Sequence, residues 1–490
     1  MHTKKTTTAF LIAAAITLLI CIWGIAFPAS FTGTASTGID FLTKNFAWLF
    51  CLSMVIFVVF CVWIGFFSKY RHMRLGPDES RPEHSDLAWF SMLFSAGIGV
   101  GLVFWGAAEP LSFFVSPIDG IQPGSAEAAK FALTKAFFHW GIHPWAGYAA
   151  LALALAFMQF RRNKPALISS VFIPLIGEKR AGGWLGQAID ILALIATAGG
   201  VATSLRLGTL QINSGLSALL GVQETLSVQI LLLLVLAAVY IITSATNIDR
   251  TISLISGLNV KIAVGLMALL IVLGPTVPIL NHLFEGIGAY LAALIPGSFT
   301  IGAFSNDGDW YRQWTIFYWA WWISWAPFTG SFIARISKGR TIGEFIRGVM
   351  LLPAGFSVVW FSVFGTLGME LDFQACKAAV ATTSGALFAV LEHYPLGKIL
   401  CVLVLILICT FFITFANSAT CVLGMYSEGG CPTPSNRSKI VWGALMAALG
   451  VVMLISDSNG LAVVSAFPFT FVMLAAVVSI LTALRQESLH

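Results

Sequence analysis

The sequence contains few charged residues. Asp, Glu, Lys and Arg make up 10% of its 490 residues, whereas hydrophobic residues make up 58%. Soluble globular domains carry about 25% charged residues, so this composition excludes an ordinary soluble protein. Apolar runs of about 20 residues, the length that crosses a bilayer, follow one another along the chain. The sequence therefore predicts an all-α polytopic membrane protein.

Several functional classes lack their signatures. The eight cysteines lie mostly inside hydrophobic runs and have no metal-ligand spacing, so we expect no disulfide framework, no metal and no cofactor. No phosphate-binding loop occurs, and no basic patch suggests a nucleic-acid partner. Because no catalytic pair occurs at membrane depth, we expect that the protein is not an enzyme.

Twelve membrane-spanning helices are predicted. Lys and Arg concentrate in alternate loops, near residues 69–81, 161–164, 179–180, 335–340 and 437–439. Positive charge is retained on the cytoplasmic side of a membrane. We therefore expect a bacterial inner-membrane protein with both termini in the cytoplasm. The outer segment 280–309 is predicted to contain a helix that lies on the membrane surface or dips into it. The predicted spans are 9–28, 47–68, 87–106, 132–160, 187–212, 228–246, 252–279, 312–334, 342–366, 396–425, 439–456 and 463–484.

Three glycines alternate in the third span, FSAGIGVGLVFWGAAEP, at Gly97, Gly99 and Gly101. Small residues at a spacing of two do not line one helix face, so a helix-packing seam explains them poorly. They suit a helix that unwinds within the membrane and offers backbone groups to a ligand. Close packing against a neighbouring helix is the alternative.

Aromatic residues cluster in two spans. On one continuous helix, Trp140, Trp145 and Tyr148 around Pro144 would share an aromatic face. The eighth span, WAWWISWAPFTGSFIARISKGR, carries several tryptophans in its body and is expected to break at Pro327 and Gly330. Tryptophan in membrane helices is usually found at the lipid–water boundary. Aromatic faces brought together in the interior would form a cage that attracts a quaternary ammonium group.

These motifs carry a family resemblance. The segments WAWWISWAPFTGSFIARISKGRTIGEF, AGIGVG and HWGIHPWAGY resemble the betaine/choline/carnitine transporter family, and the resemblance covers essentially the whole chain. It implies one transporter domain, 1–490, with a leucine-transporter-like fold. Two additional helices (9–68) would precede two inverted five-helix repeats (87–279 and 312–484). It also implies alternating access and a homotrimer embedded in membrane lipid.

The resemblance assigns roles by position. It implies that Trp140, Trp145, Tyr148 and Trp322 surround the trimethylammonium group and that Trp321 lies beside them on the outward side. It also implies that Trp325 and Phe328 line the route to the cytoplasm.

The substrate class is inferred from Gly101. Family members that carry betaine or carnitine have glycine at this position, whereas proton-coupled choline carriers have aspartate. We find no acidic residue in the middle of any predicted span, and Glu109 follows the third span. A zwitterion brings its own carboxylate, so this pattern favours glycine betaine, carnitine or a similar compound over choline. The alternatives are a choline or sulfonium-betaine (dimethylsulfoniopropionate) carrier and a non-transporting betaine sensor.

The sequence of the tenth span argues against coupling to sodium. Where sodium-using relatives have Thr-Ser followed by Ala-Asp-Ser, this sequence has Thr414, Phe415 and Asn417. A phenyl ring offers no oxygen to a cation. In the fifth span, Arg206 stands where the family has a small residue. Either it supplies a fixed positive charge in place of sodium, giving ion-independent transport, or it extends to the outer interface.

Overall fold

The computed structural model describes residues 7–97, 99–246 and 249–487. Helices dominate this described part of the chain, as the composition predicts. Its nineteen α-helices are α1 (Thr8–Ala26), α2 (Pro28–Val62), α3 (Asp86–Gly97), α4 (Val100–Val115), α5 (Ala126–Trp140), α6 (Ile142–Ala156), α7 (Ile173–Ala181), α8 (Trp184–Leu220), α9 (Leu226–Ala245), α10 (Asp249–Leu273), α11 (Thr276–Ser298), α12 (Gly308–Tyr311), α13 (Phe317–Arg335), α14 (Ile342–Met369), α15 (Phe373–Ala381), α16 (Ala386–Leu391), α17 (Gly397–Ser427), α18 (Asn436–Ile455) and α19 (Gly460–Glu487).

The segment between the first two spans is helical. We predicted a loop for residues 29–46, but α2 begins at Pro28, directly after α1 and Phe27. Proline suits the first position of a helix because its missing N–H would have no partner there. A turn of π-helix, Trp63–Phe67, extends α2 at its other end. The helix therefore begins well before the predicted span 47–68.

The predicted third span is divided. Its helix stops at Gly97 in α3, and Gly99 caps α4 in an extended conformation with φ −102° and ψ −176°. Ile98 lies outside the described residues. The predicted end at residue 106 is wrong, because α4 continues through Pro110 to Val115. Glu109 therefore lies inside this helix and is completely buried, whereas the sequence analysis placed it after the span.

The fourth span is also two helices. Trp140 ends α5, and Ile142 begins α6 after the non-helical Gly141. A β-carbon on Gly141 would lie 2.5 Å from the Tyr290 hydroxyl, which accepts a hydrogen bond from the Ile142 amide at 2.9 Å. The same β-carbon would also lie too close to the Phe137 carbonyl oxygen, so a local and a tertiary contact together explain why only glycine fits. The single continuous aromatic face that we predicted for this span is therefore wrong.

The eighth span does not break where we predicted. Helix α13 is continuous from Phe317 to Arg335 and passes through Pro327 and Gly330. Membrane helices tolerate an internal proline. The Pro327 carbonyl also accepts a hydrogen bond from the Tyr426 hydroxyl at 2.8 Å. Gly330 packs against Leu151 and Ala152 of α6.

Length and hydropathy identify 11 membrane-crossing candidates in the described residues, or up to 12 if the bent pair α15–α16 is one span. Ten coincide with predicted spans. Two predicted spans are not among the 11 candidates: the third, which is divided into α3 and α4, and the eighth, the tryptophan-rich α13. The eleventh candidate is α11, in the segment for which we predicted a surface helix. Both α4 and α13 are almost entirely buried, and α13 packs against α6, α8 and α19.

Candidate functional site

A narrow cavity lies where α4, α6 and α13 meet. Its walls are mainly aromatic and glycine residues, and the space between them admits a group the size of a water molecule. Trimethylammonium is larger, so its entry requires the walls to move apart. The lining residues are Gly99, Gly101, Leu102, Trp140, Pro144, Trp145, Tyr148, Trp321, Trp322, Trp325 and Ser357.

The rings at this cavity form a connected cluster. The ring centroids of Trp140 and Trp322 are 4.8 Å apart with an interplanar angle of 74°. Tyr148 contacts Trp322 at 6.4 Å and Trp145 at 5.5 Å, both nearly perpendicular. Trp321 stacks on Trp322 at 4.9 Å. All five residues that the resemblance assigns to the substrate therefore line one cavity, although they come from three helices.

Two polar atoms at the cavity are buried without a partner among the described residues. They are the Tyr148 hydroxyl and the Trp321 indole nitrogen Nε1. Unpartnered buried donors are uncommon and need an explanation, such as a ligand. The same cavity meets the N-terminus of α4 at Gly99 and Gly101. The first amide groups of a helix lack intrahelical partners and favour negative charge.

Aromatic contacts bound the cavity on both sides along α13. Toward the helix start, Phe317 stacks on Trp321 at 5.7 Å, and Phe317 lines a second, larger cavity. Toward the helix end, Trp325 stacks on Phe415 of α17 at 5.0 Å with an interplanar angle of 11°. Phe328 contacts the same phenyl ring at 5.5 Å. Aromatic rings therefore flank the small cavity in both directions along α13.

A buried carboxyl group lies directly behind the cluster. Glu109 of α4 accepts hydrogen bonds from Trp140 Nε1 at 2.8 Å and from the Tyr318 hydroxyl at 2.5 Å. His139 Nδ1 lies 2.7 Å from its other oxygen. Sequence reasoning missed Glu109 because it ended the span at residue 106, and it missed Tyr318. The spacing of Tyr318 and Trp322, four residues apart on one helix, would have placed them on one face.

The four candidate coupling residues do not form one cluster. The Thr414 hydroxyl donates to the Thr410 carbonyl of its own helix at 2.9 Å. The Asn417 amide donates to the Thr243 hydroxyl at 2.9 Å, and its oxygen has no partner in the described part of the chain. The Phe415 ring instead stacks on the ring of Trp325.

Arg206 lies apart from these residues. Its guanidinium forms an ion pair with Asp457 and donates to Asn459 Oδ1 at 3.0 Å, where α18 ends and α19 begins. The Asp457 side chain is 89% exposed. This position favours the interpretation in which Arg206 extends to an interface. It does not support a fixed charge beside Thr414 and Phe415.

The fold and the cavity define a helical membrane protein with an internal cavity lined by aromatic residues. The model of the BCCT family, described as betaine/carnitine/choline family transporter, matches residues 8–489. The glycine betaine transporter OpuD of Bacillus subtilis is 41% identical over 99% of this chain and 95% of its own length. A probable glycine betaine transporter of Desulfitobacterium hafniense is 40% identical over 99% of this chain and 98% of its length.

An ectoine/hydroxyectoine transporter of Virgibacillus pantothenticus is 38% identical, covering 96% of this chain and 95% of its own length. The chain belongs to the betaine/carnitine/choline family of transporters. It is a multi-pass membrane transporter and not an enzyme.

Proposed function

We propose that this transporter carries a zwitterionic betaine, with glycine betaine as the first candidate. The observation that carries the proposal is the cavity, which combines aromatic faces with unpartnered hydrogen-bond donors. Names of relatives that include glycine betaine support the same substrate class.

The aromatic walls suit the cationic end of such a substrate. A quaternary ammonium group cannot donate hydrogen bonds, so ring faces replace water around it, with each ring contributing about 0.5 to 2 kcal/mol. Trp140, Trp145, Tyr148 and Trp322 are the rings that we assign to this group. Trp321 lies beside them, and Trp325 with Phe328 would open the path on the other side.

The carboxylate end has matching partners. The Tyr148 hydroxyl, Trp321 Nε1 and the α4 N-terminus at Gly99 and Gly101 can each donate to an anion. Choline lacks a carboxylate, and its single hydroxyl offers fewer acceptor sites and no negative charge to these groups. We predicted that no carboxyl group lies in the middle of a span, but Glu109 lies inside α4, so the lack of a carboxyl group does not exclude choline. The preference for a zwitterion now rests on the donors at the cavity.

The family fold supplies the mechanism that we propose. Residues 87–279 and 312–484 would form two inverted repeats that alternate access to the cavity, after two additional helices in 9–68. The division of α3 and α4 at Gly99, next to the cavity, supports this arrangement. We propose a homotrimer in the inner membrane with both termini in the cytoplasm.

A thermal-shift screen of the purified protein tests the substrate. Glycine betaine at a concentration 100 times its Kd should stabilise the folded protein by about 2.7 kcal/mol. Carnitine, ectoine, dimethylsulfoniopropionate and choline form the comparison set. Stabilisation by choline with none by any zwitterion would contradict the proposal. Binding without accumulation in proteoliposomes would instead indicate a sensor.

We also propose that transport does not require sodium. The Phe415 ring fills the position of a hydroxyl ligand and stacks on Trp325. The Thr414 hydroxyl donates to the Thr410 carbonyl but keeps its oxygen lone pairs, so Thr414 and Asn417 offer two side-chain oxygens among these residues. A hard cation needs several oxygen ligands.

Proteoliposomes should therefore take up labelled glycine betaine at rates that agree within about twofold in sodium and in potassium buffers. Vesicles without protein provide the background. A tenfold stimulation by sodium would contradict sodium independence but would leave the substrate assignment intact. Asp457→Asn should not create a sodium dependence, because the Arg206 partners in the described residues are Asp457 and Asn459 and not the candidate coupling residues.

A further inference from the structure

The Glu109 carboxyl group connects three side chains behind the cavity. Its Oε2 accepts from Trp140 and Tyr318, while Oε1 faces His139. His139 is fixed from the other side, where its Nε2 lies 2.9 Å from the Thr315 hydroxyl. Glu109 and His139 are both fully buried. A buried carboxyl group is costly unless it is hydrogen-bonded, and both Glu109 oxygens have partners.

Two of these partners contact the ring on which the substrate assignment depends. Trp140 meets Trp322 at 4.8 Å, and Tyr318 stacks on Trp322 at 5.7 Å with an interplanar angle of 25°. The Trp322 indole in turn donates to the His139 carbonyl at 3.0 Å. The orientation of the rings is therefore set by contacts that converge on Glu109 and its neighbour His139.

We propose that Glu109 is a positioning residue that also sets headgroup specificity. Its carboxylate holds Trp140 and Tyr318 in place and makes the cage prefer a cationic headgroup to a neutral one of the same shape. The inference rests on the proposed assignment of the cage to the substrate cation. It adds a residue that does not line the cavity.

Charge-assisted hydrogen bonding is the physical basis of this preference. The distance of 2.5 Å between the Tyr318 hydroxyl and Glu109 is typical of a hydroxyl that donates to a carboxylate. A carboxylate that accepts from the Trp140 indole N–H also polarises the ring, because hydrogen bonds in a low-dielectric interior polarise one another. A more electron-rich ring attracts a cation more strongly, whereas a neutral tert-butyl group is insensitive to this change.

The test compares glycine betaine with 3,3-dimethylbutanoate, in which a carbon atom replaces the quaternary nitrogen. Binding of each compound to the full-length protein in nanodiscs is measured by competition with labelled betaine. Glu109→Gln should weaken betaine binding about tenfold and change dimethylbutanoate binding less than about twofold. Glu109→Asp retains the charge and should restore most of the preference for betaine.

A purely structural role predicts a different result. If Glu109→Gln weakens both compounds equally, or changes neither, the proposed specificity role is wrong. Should this variant fail to fold, Tyr318→Phe removes a donor to Glu109 but keeps a ring that lies outside the cavity lining. It should lower the betaine preference, and an unchanged preference would overturn the proposal. Wild-type protein that binds no betaine would instead contradict the substrate assignment itself.

Discussion

Replacing Trp322 by leucine should raise the Kd for glycine betaine about 30-fold and reduce uptake at low substrate concentration by the same factor. The variant keeps an apolar side chain but loses the ring face, which we expect to contribute about 2 kcal/mol to binding of the cation. Trp322 contacts Trp140, Tyr148 and Trp321, so its loss also removes a packing contact that holds each of these rings in place. Titration with labelled betaine and uptake into proteoliposomes measure the two effects.

Trp319→Leu is the matched control. Trp319 is three residues away on the same helix and equally buried, but it stacks on His143 and does not line the cavity. We expect this substitution to lower thermal stability while leaving the Kd within about threefold of the wild-type value. Equal losses of affinity in the two variants would show that the cage assignment is wrong.

The sequence was sufficient to predict the helical membrane fold. Long apolar runs must form helices in a bilayer because the backbone groups cannot be satisfied otherwise. The tryptophans of α13 were recognisable because they occupy the body of a helix. The same reasoning does not show which of them meet. Trp319 and Trp322 look alike in sequence, and only the packing of α13 against α6 separates them.

Helix ends were harder to predict because continuous hydrophobicity conceals them. The break at Gly141 depends in part on Tyr290, far away in the chain. The continuation of α13 through Pro327 is equally hidden, because proline in a sequence suggests a helix break. Glu109 was missed for the same reason, since the dipeptide Glu109-Pro110 reads as a helix terminus. A buried carboxyl group becomes visible only when Trp140, Tyr318 and His139 are brought around it.

Gly101→Leu should abolish betaine uptake. A β-carbon at this position would lie 3.2 Å from Cη2 of Trp140 and 3.2 Å from Cη2 of Trp321, so an alanine is already tight. The larger leucine side chain would have to enter the cavity that we assign to the substrate. Uptake should fall to the background of empty vesicles, because the cavity is narrow before any atom is added. Initial rates of labelled betaine uptake measure the effect.

Gly99→Ala provides the control on the same helix N-terminus. Its nearest contact would be Trp325 Cη2 at 3.7 Å, an ordinary van der Waals distance. The backbone of Gly99 is extended with φ −102°, which alanine adopts without strain. We therefore expect Gly99→Ala to retain uptake within about threefold of wild type. If Gly101→Leu transported betaine normally while Gly99→Ala did not, the substrate would lie on the Trp325 side of the cavity, away from Trp140.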